Sequence, residues 1–234
     1  MTDRENRSAQ LLWGGRERPA RGPKPSLSVD RIVAEGIALA DGEGLPALSM
    51  QRLATELGVG TMSLYRYVPS KDDLIALMLD AAVGAPPRIS ARAGWRSAME
   101  TWARSCAEVF GRHPWVLSLV ARPRTMGPNE VAYVEVALAA LSGTGLSPAE
   151  KLNTVVLVNG FVRGIAPFVA TARATEHTMI DTELIAELGR GEAYPNVTEV
   201  MGELAERKPR KSDSPFEYGL RRILDGVAAR VDAR

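Results

Sequence analysis

Apolar residues in this chain recur at intervals of three and four, and clean alternation over several residues is scarce. That pattern predicts helices rather than strands, so the expected fold class is all-α. Ser28 is a good N-cap residue, and Val29, Ile32, Val33, Gly36, Ile37 and Ala40 follow on one face until Asp41-Gly42. After the loop 43–48, Ser49 opens a second helix with Leu53, Ala54 and Leu57 inward. Leu48 is placed to pack against Leu53 as a hydrophobic staple. Gly58 supplies the left-handed backbone position that ends such a helix. The short turn Gly58-Val59-Gly60 leads to a brief third helix, Thr61 to Tyr67. Pro69 breaks the pattern, and Ser70 with Asp73 starts a fourth helix carrying Leu74, Leu77, Met78 and Ala81 on one face.

Gly84 and Pro86-Pro87 close that helix, and residues 84–91 read as a joint between domains. The expected division is a flexible arm over 1–25, a three-helix unit with a helix-turn-helix over 26–86, and a second helical domain over 92–234. In the second domain the pattern predicts helices at Trp95–Arg112, Trp115–Val120 and Asn129–Leu141. A long helix starts at Ser147-Pro148, with Glu150 in its first turn, and runs to about Thr175. Pro167 is expected to kink it or end it early. Residues 176–215 form a weaker region of short helices and loops, including the basic stretch Arg207–Lys211. Phe216–Val231 closes the chain as an amphipathic helix.

Composition adds limits. The chain has 234 residues, of which 45% are hydrophobic and 24% charged, enough for a packed core. No apolar run approaches the roughly 18 residues of a membrane span, and Met1–Leu12 lacks an apolar signal core, so a cytoplasmic protein is expected. The single cysteine, Cys106, excludes an internal disulfide framework and lies in an apolar helical pattern. It reads as a buried small hydrophobe, with a redox sensor as the alternative. Net charge is only +1, so the molecule as a whole is not a general polyanion binder. Charge is uneven, however: Arg16, Arg18, Arg21, Lys24 and Arg31 face only Glu17 and Asp30 over 14–31. Such an arm is either a plain linker or an aid to DNA binding through phosphates or a minor groove.

Two helices joined by a short Gly-containing turn have helix-turn-helix geometry, but similar pairs occur in ordinary bundles. Leu53, Ala54, Val59, Leu64 and Val68 suit the apolar contacts between the two helices. Thr61, Met62, Ser63, Tyr65, Arg66 and Tyr67 are left pointing outward or sideways. Hydroxyls, a cation and aromatic edges can bond phosphates and base edges. A surface cluster of two tyrosines and a methionine beside a basic arm favours the DNA reading over the bundle.

At these residues the chain resembles the TetR family of bacterial repressors. The matching strings are Leu48-Ser49-Met50-Gln51-Arg52-Leu53-Ala54-Thr55-Glu56-Leu57-Gly58-Val59 and Thr61-Met62-Ser63-Leu64-Tyr65-Arg66-Tyr67-Val68-Pro69-Ser70-Lys71. His113-Pro114-Trp115 and the segment Phe216 to Gly226 resemble the tetracycline-repressor-type C-terminal domain, and the likeness is weak over about 176–213. The resemblance implies DNA contacts from Ser49, Gln51, Thr61, Met62, Ser63, Tyr65, Arg66 and Tyr67. It puts Lys71 at a phosphate-clamp position, where a cation and free helix N–H groups meet. It also implies a ligand-sensing homodimer, released from a palindromic operator by a small-molecule effector. The long helix and the last helix would then supply a four-helix interface; the other reading makes both intramolecular core.

The expected function is a DNA-binding transcriptional repressor. The alternative is a ligand-independent activator or architectural protein, which predicts a solid C-terminal core. Candidate ligand residues are Trp102, Phe110, Trp115, Tyr133, Asn159, Arg163 and Phe168, each of which also suits a plain core or interface. Asn159 and Arg163 are the most informative, because polar groups on an apolar helix need partners. The tetracycline repressor binds its ligand as a magnesium complex through histidines. This chain has only His113 and His177, so neither a metal nor a cofactor is expected. There is no Gly-x-Ser-x-Gly elbow and no Walker loop, and Gly143-Thr144-Gly145 follows a helix, so no enzyme is expected.

Overall fold

The computed structural model describes residues 9–14, 27–90, 92–121, 124–174, 193–205 and 214–233, and all of its regular elements among them are helical. Helix α1 spans Val29–Glu43, α2 Met50–Leu57, α3 Thr61–Tyr67 and α4 Lys71–Val83. A short 3-10 turn, Leu45–Ala47, separates α1 from α2. The C-terminal half contains α5 (Trp95–Arg112), α6 (Val116–Val120), α7 (Pro128–Ala140), α8 (Pro148–Ala174), α9 (Pro195–Ala205) and α10 (Pro215–Asp232).

Local chemistry sets the starts of the N-terminal helices. The hydroxyl oxygens of Ser28, Ser49 and Ser70 accept from the backbone N–H of Arg31 (3.2 Å), Arg52 (3.1 Å) and Asp73 (3.1 Å). Each bond satisfies one of the helix's orphan donors. Gly58 ends α2 at φ 67°, ψ 33°, the left-handed conformation expected there. Helices α1 and α4 pack together. They approach so closely at Gly36 that an added Cβ would lie 2.8 Å from Met78 Sδ.

In the second half α5 is the central helix, packed on α7, α8 and α10, with Trp102 at its buried midpoint. The apolar core does not stop at the expected joint. One continuous cluster joins Leu74, Leu77 and Met78 of α4 to Val116 and Tyr133 beyond it, because α4 also packs on α6 and α7. The break at 84–91 is a break in the chain pattern, not in the packing.

The long helix α8 reaches Ala174, close to the end expected near Thr175, and runs through Pro167, so of the two effects expected of that proline an early end does not occur. Proline removes one N–H, the one that would bond the Arg163 carbonyl, at about 3 kcal/mol. Burial of Val155, Val158, Val162 and Ala166 on the same helix outweighs that cost. The N-terminal arm is also not wholly free. Residues 9–13 are helical, Leu11 and Leu12 pack against the core, and the Trp13 indole N–H donates to the Met126 carbonyl at 3.1 Å. The arm cations Arg16, Arg18, Arg21 and Lys24, the region 176–192 with His177, and the stretch Arg207–Lys211 lie outside the described residues.

Candidate nucleic-acid interface and regulatory cavity

Leu64 is the anchor of α3. It is fully buried with Leu53 and Val68, and this fixes which face of α3 turns outward. On that outward face Met62 is 77% exposed, and Tyr65, Arg66 and Tyr67 are exposed as well. Among the described residues none of these side chains has a polar partner, so every donor on the face is available. Thr61 and Ser63 are half-buried at the edges of the helix. Gln51 is exposed on α2, and Lys71 is exposed at the first position of α4. The Ser49 oxygen accepts its capping bond, which leaves its O–H and a second lone pair for outward contacts. None of the nine residues of the expected DNA site is buried: seven are exposed, and Thr61 and Ser63 are half-buried.

A neighbouring cation is already paired. Arg52 grips Glu43 through two bonds of 2.8 and 2.6 Å and also lies 3.6 Å from Glu56. The Arg52 hydrogen bond lowers the Glu43 pKa, and the Glu43 bond raises that of Arg52. The pair braces the start of α2 against the end of α1.

Two ties outside the expected DNA site join the two halves. Asp80, near the end of α4, is buried, and its Oδ1 accepts from the backbone N–H of Asn129 at 2.9 Å and of Glu130 at 3.3 Å. The Asn129 side chain returns a bond to the Asp80 carbonyl at 2.9 Å. Asp80 thus acts as the N-cap of α7 from another helix, where a carboxylate also suits the positive end of the helix dipole. The contact requires glycine at 127: an added Cβ would lie 2.2 Å from Asp80 Oδ1. A second tie runs from Asp41 at the end of α1, which lies 2.8 Å from His113 Nδ1 and accepts from Trp115 Nε1 at 2.7 Å. The first tie left a partial trace in the sequence, an acid between Leu79 and Ala81 on an apolar helix and Glu130 three residues after Gly127, but neither names its partner.

The C-terminal half holds a cavity of about 550 Å³ between α5, α7 and α8. Five of the seven expected ligand residues line it: Trp102, Phe110, Tyr133, Asn159 and Arg163. Trp115 does not; its indole turns toward Asp41 and lines a separate cleft beside Lys71. Phe168 does not either, being 51% exposed on the outer surface of α8, because the helix rotates it past the cavity. Arg124 and Glu130 line the cavity and escaped the sequence reading. They pair with each other through two contacts, one of 2.6 Å, and Glu130 also accepts from the Gly127 N–H at 3.1 Å. Cys106 lines the wall too, and burial pushes its thiol up to about 12, so it is present as neutral S–H.

Comparison with known proteins matches this arrangement at both ends of the chain. Residues 32–78 match the model of bacterial regulatory proteins of the tetR family, and residues 89–231 match the tetracyclin repressor-like C-terminal domain. The HTH-type transcriptional repressor DrrR1 of Streptomyces coeruleorubidus is 37% identical over 97% of this chain and 87% of its own length. An HTH-type transcriptional regulator of Saccharopolyspora erythraea is 32% identical over 93% of this chain and 91% of its own. The crystal structure of the Streptomyces coelicolor TetR family protein ActR in complex with actinorhodin superposes with a TM-score of 0.73 at 28% identity, covering 90% of this chain and 99% of that one. With its buried-anchor recognition helix and its tetracycline-repressor-like second half, the chain belongs to the TetR family of DNA-binding transcriptional regulators.

Proposed function

We propose that the protein is a cytoplasmic homodimeric repressor that holds a palindromic operator through α2 and α3 and lets go when a small molecule fills the cavity. The observation that carries this reading is the outward face of α3. It presents Met62, Tyr65, Arg66 and Tyr67, with Lys71 alongside, over a fully buried Leu64. Arg66 is the best-placed base or phosphate donor, and Lys71 suits a phosphate.

Dimerisation is supported by the exposed faces of α8 and α10. Leu157, Phe168 and Tyr218 are large and more than half exposed. Gly160, Gly164 and Gly226 on the same helices have nothing within 4 Å of an added Cβ, so a partner helix can approach closely. In such a dimer two recognition helices would enter successive major grooves about 34–36 Å apart.

Helix α4 is the element suited to transmit occupancy. Its first residue, Lys71, belongs to the DNA face, and Asp80, about 14 Å along at 1.5 Å per residue, caps α7. Glu130, in the first turn of α7, forms the cavity wall with Arg124. A ligand that displaces this pair shifts α7 and with it the capping contact from Asp80 of α4. Capping bonds are worth about 0.5–2 kcal/mol each, the scale needed here, since a hundredfold loss of operator affinity corresponds to about 2.7 kcal/mol of coupling. The cavity favours this reading over a ligand-independent DNA binder, which calls for a solid core.

The test is selection of bound DNA from a random pool by the purified chain at physiological salt. A recovered palindrome with half-sites one helical turn apart is expected. No enrichment over non-specific binding would refute the operator reading.

A further inference from the structure

The cavity wall contains few polar side chains, and most are already spoken for. The Trp102 indole N–H donates to the Tyr133 carbonyl at 2.8 Å. The Tyr133 hydroxyl meets Ser105 Oγ at 2.9 Å. Arg124 and Glu130 neutralise each other, and Glu130 has its further bond from Gly127. Cys106 is a neutral, weakly bonding thiol. Asn159 and Arg163 remain. Both are half-buried, both line the cavity, and among the described residues neither has a hydrogen-bond or ion-pair partner. They stand four residues apart on α8, so their side chains are neighbours on one helix face.

A half-buried guanidinium without a partner has lost part of its hydration and regained nothing for it. The lining holds two arginines against one carboxylate, and that carboxylate belongs to Arg124. The rest of the wall is apolar and partly aromatic: Trp102, Val109, Phe110, Tyr133 and Val155. About 550 Å³ falls within the roughly 300–1,000 Å³ usual for small-molecule sites. We infer that the cavity takes a planar aromatic anion, whose single ionised oxygen group is bound by Arg163 and Asn159 while its rings lie against Trp102, Phe110 and Tyr133. The ionised group is either a carboxylate or an acidic phenol; Arg163 can offer a fork of donors to the first and paired donors to the second. Asn159 contributes an N–H donor and can also accept from a neighbouring hydroxyl. This inference rests on the ligand-gated reading above and specifies its effector.

The experiment is calorimetric titration of the full chain with matched pairs that differ only in charge. Anthraquinone-2-carboxylate is compared with its methyl ester, and 2,4-dinitro-1-naphthol with its methyl ether. At neutral pH the charged member of at least one pair should bind tenfold or more tightly than its neutral partner, and the pair that responds identifies the source of the charge. In Arg163→Gln the preference should fall to within about twofold while the neutral compound binds as before, which reports an intact cavity. Arg163→Lys should retain part of the preference. Neutral compounds that bind the unmodified chain as tightly as the acids overturn the ligand class, as does failure of both acids to bind. So does an acid preference that survives in Arg163→Gln. Acids that bind with the expected dependence on Arg163 but leave operator affinity unchanged support the ligand class and count against the gating reading alone.

Discussion

The recognition face and the cavity wall are built on the same plan and meet opposite surroundings. In each, polar side chains without a partner among the described residues stand on a helix whose other face is packed: Arg66 with Tyr65 and Tyr67 over Leu64, and Arg163 with Asn159 over Val158 and Val162. On α3 those groups are solvated, so waiting for a ligand has little cost, and a polyanion gains affinity by adding contacts and releasing counterions. In the cavity the groups are already partly dehydrated, so one discrete charge in the right place decides what enters. An unpaired arginine therefore carries a different message at each site: a broad attraction outside, a selective demand inside.

The sharpest way to break this comparison is to remove the anchor from one region only. Leu64→Ala leaves a hole beneath α3 and should destabilise the chain by about 2–5 kcal/mol in a urea melt. Operator binding should disappear in a gel-shift assay while binding of aromatic acids to the cavity survives. Parallel loss of both would show that the two sites do not stand apart. Asp80→Ala tests the link between them. It strips the carboxylate from two α7 N–H groups and should cost about 1–3 kcal/mol. Fluorescence-anisotropy titrations with labelled operator should then show that ligand no longer weakens DNA binding, although ligand affinity itself holds.

Finer distinctions lie within the DNA face. Arg66→Ala should lose about 1–3 kcal/mol of operator affinity and relax base preference at one position. Lys71→Ala should weaken all sequences alike and lower the slope of log K against log salt by about 1. The smallest effect concerns the start of α8. Glu150 accepts from the Ser147 N–H at 2.8 Å and O–H at 2.7 Å and from Arg230 at 2.7 Å, and these bonds pull its carboxyl down to about 2 from an ordinary 4.5. A carboxyl with a depressed pKa stabilises the fold above its unfolded value and loses that contribution as pH falls through the folded one. Thermal melts of the unmodified chain and Glu150→Gln should differ slightly above pH 4.5 and converge toward pH 2.

The first four helices were legible almost to the residue because their signals are local. Ser28, Ser49 and Ser70 cap within three residues, and Gly58 stops α2 by its own backbone conformation. The outward set on α3 followed from the same periodicity that identified Leu64 as buried. The cavity was legible only where a residue's own helix face pointed to it. Periodicity tells which way a side chain leaves its helix, not what stands opposite, so it does not show that Trp115 and Phe168 lie outside the cavity lining. Asp80 with Asn129 and Glu130, and Asp41 with His113 and Trp115, are separated by 49 to 74 residues, and no local pattern pairs them.

The glycine at 127 has a consequence for engineering. A DNA-reading head is often imagined as a module that can be moved onto another sensor. Here the last turn of α4 carries an acid that sits where a side chain on residue 127 would have to be. A chimera cut at the proline-rich stretch after Gly84 would keep Asp80 and discard its glycine. Grafts that carry Asp80, Gly127 and Asn129 together should assemble, whereas those that split the trio would bury a carboxylate against a foreign side chain. The transferable unit of this repressor ends not at a loop but at a contact.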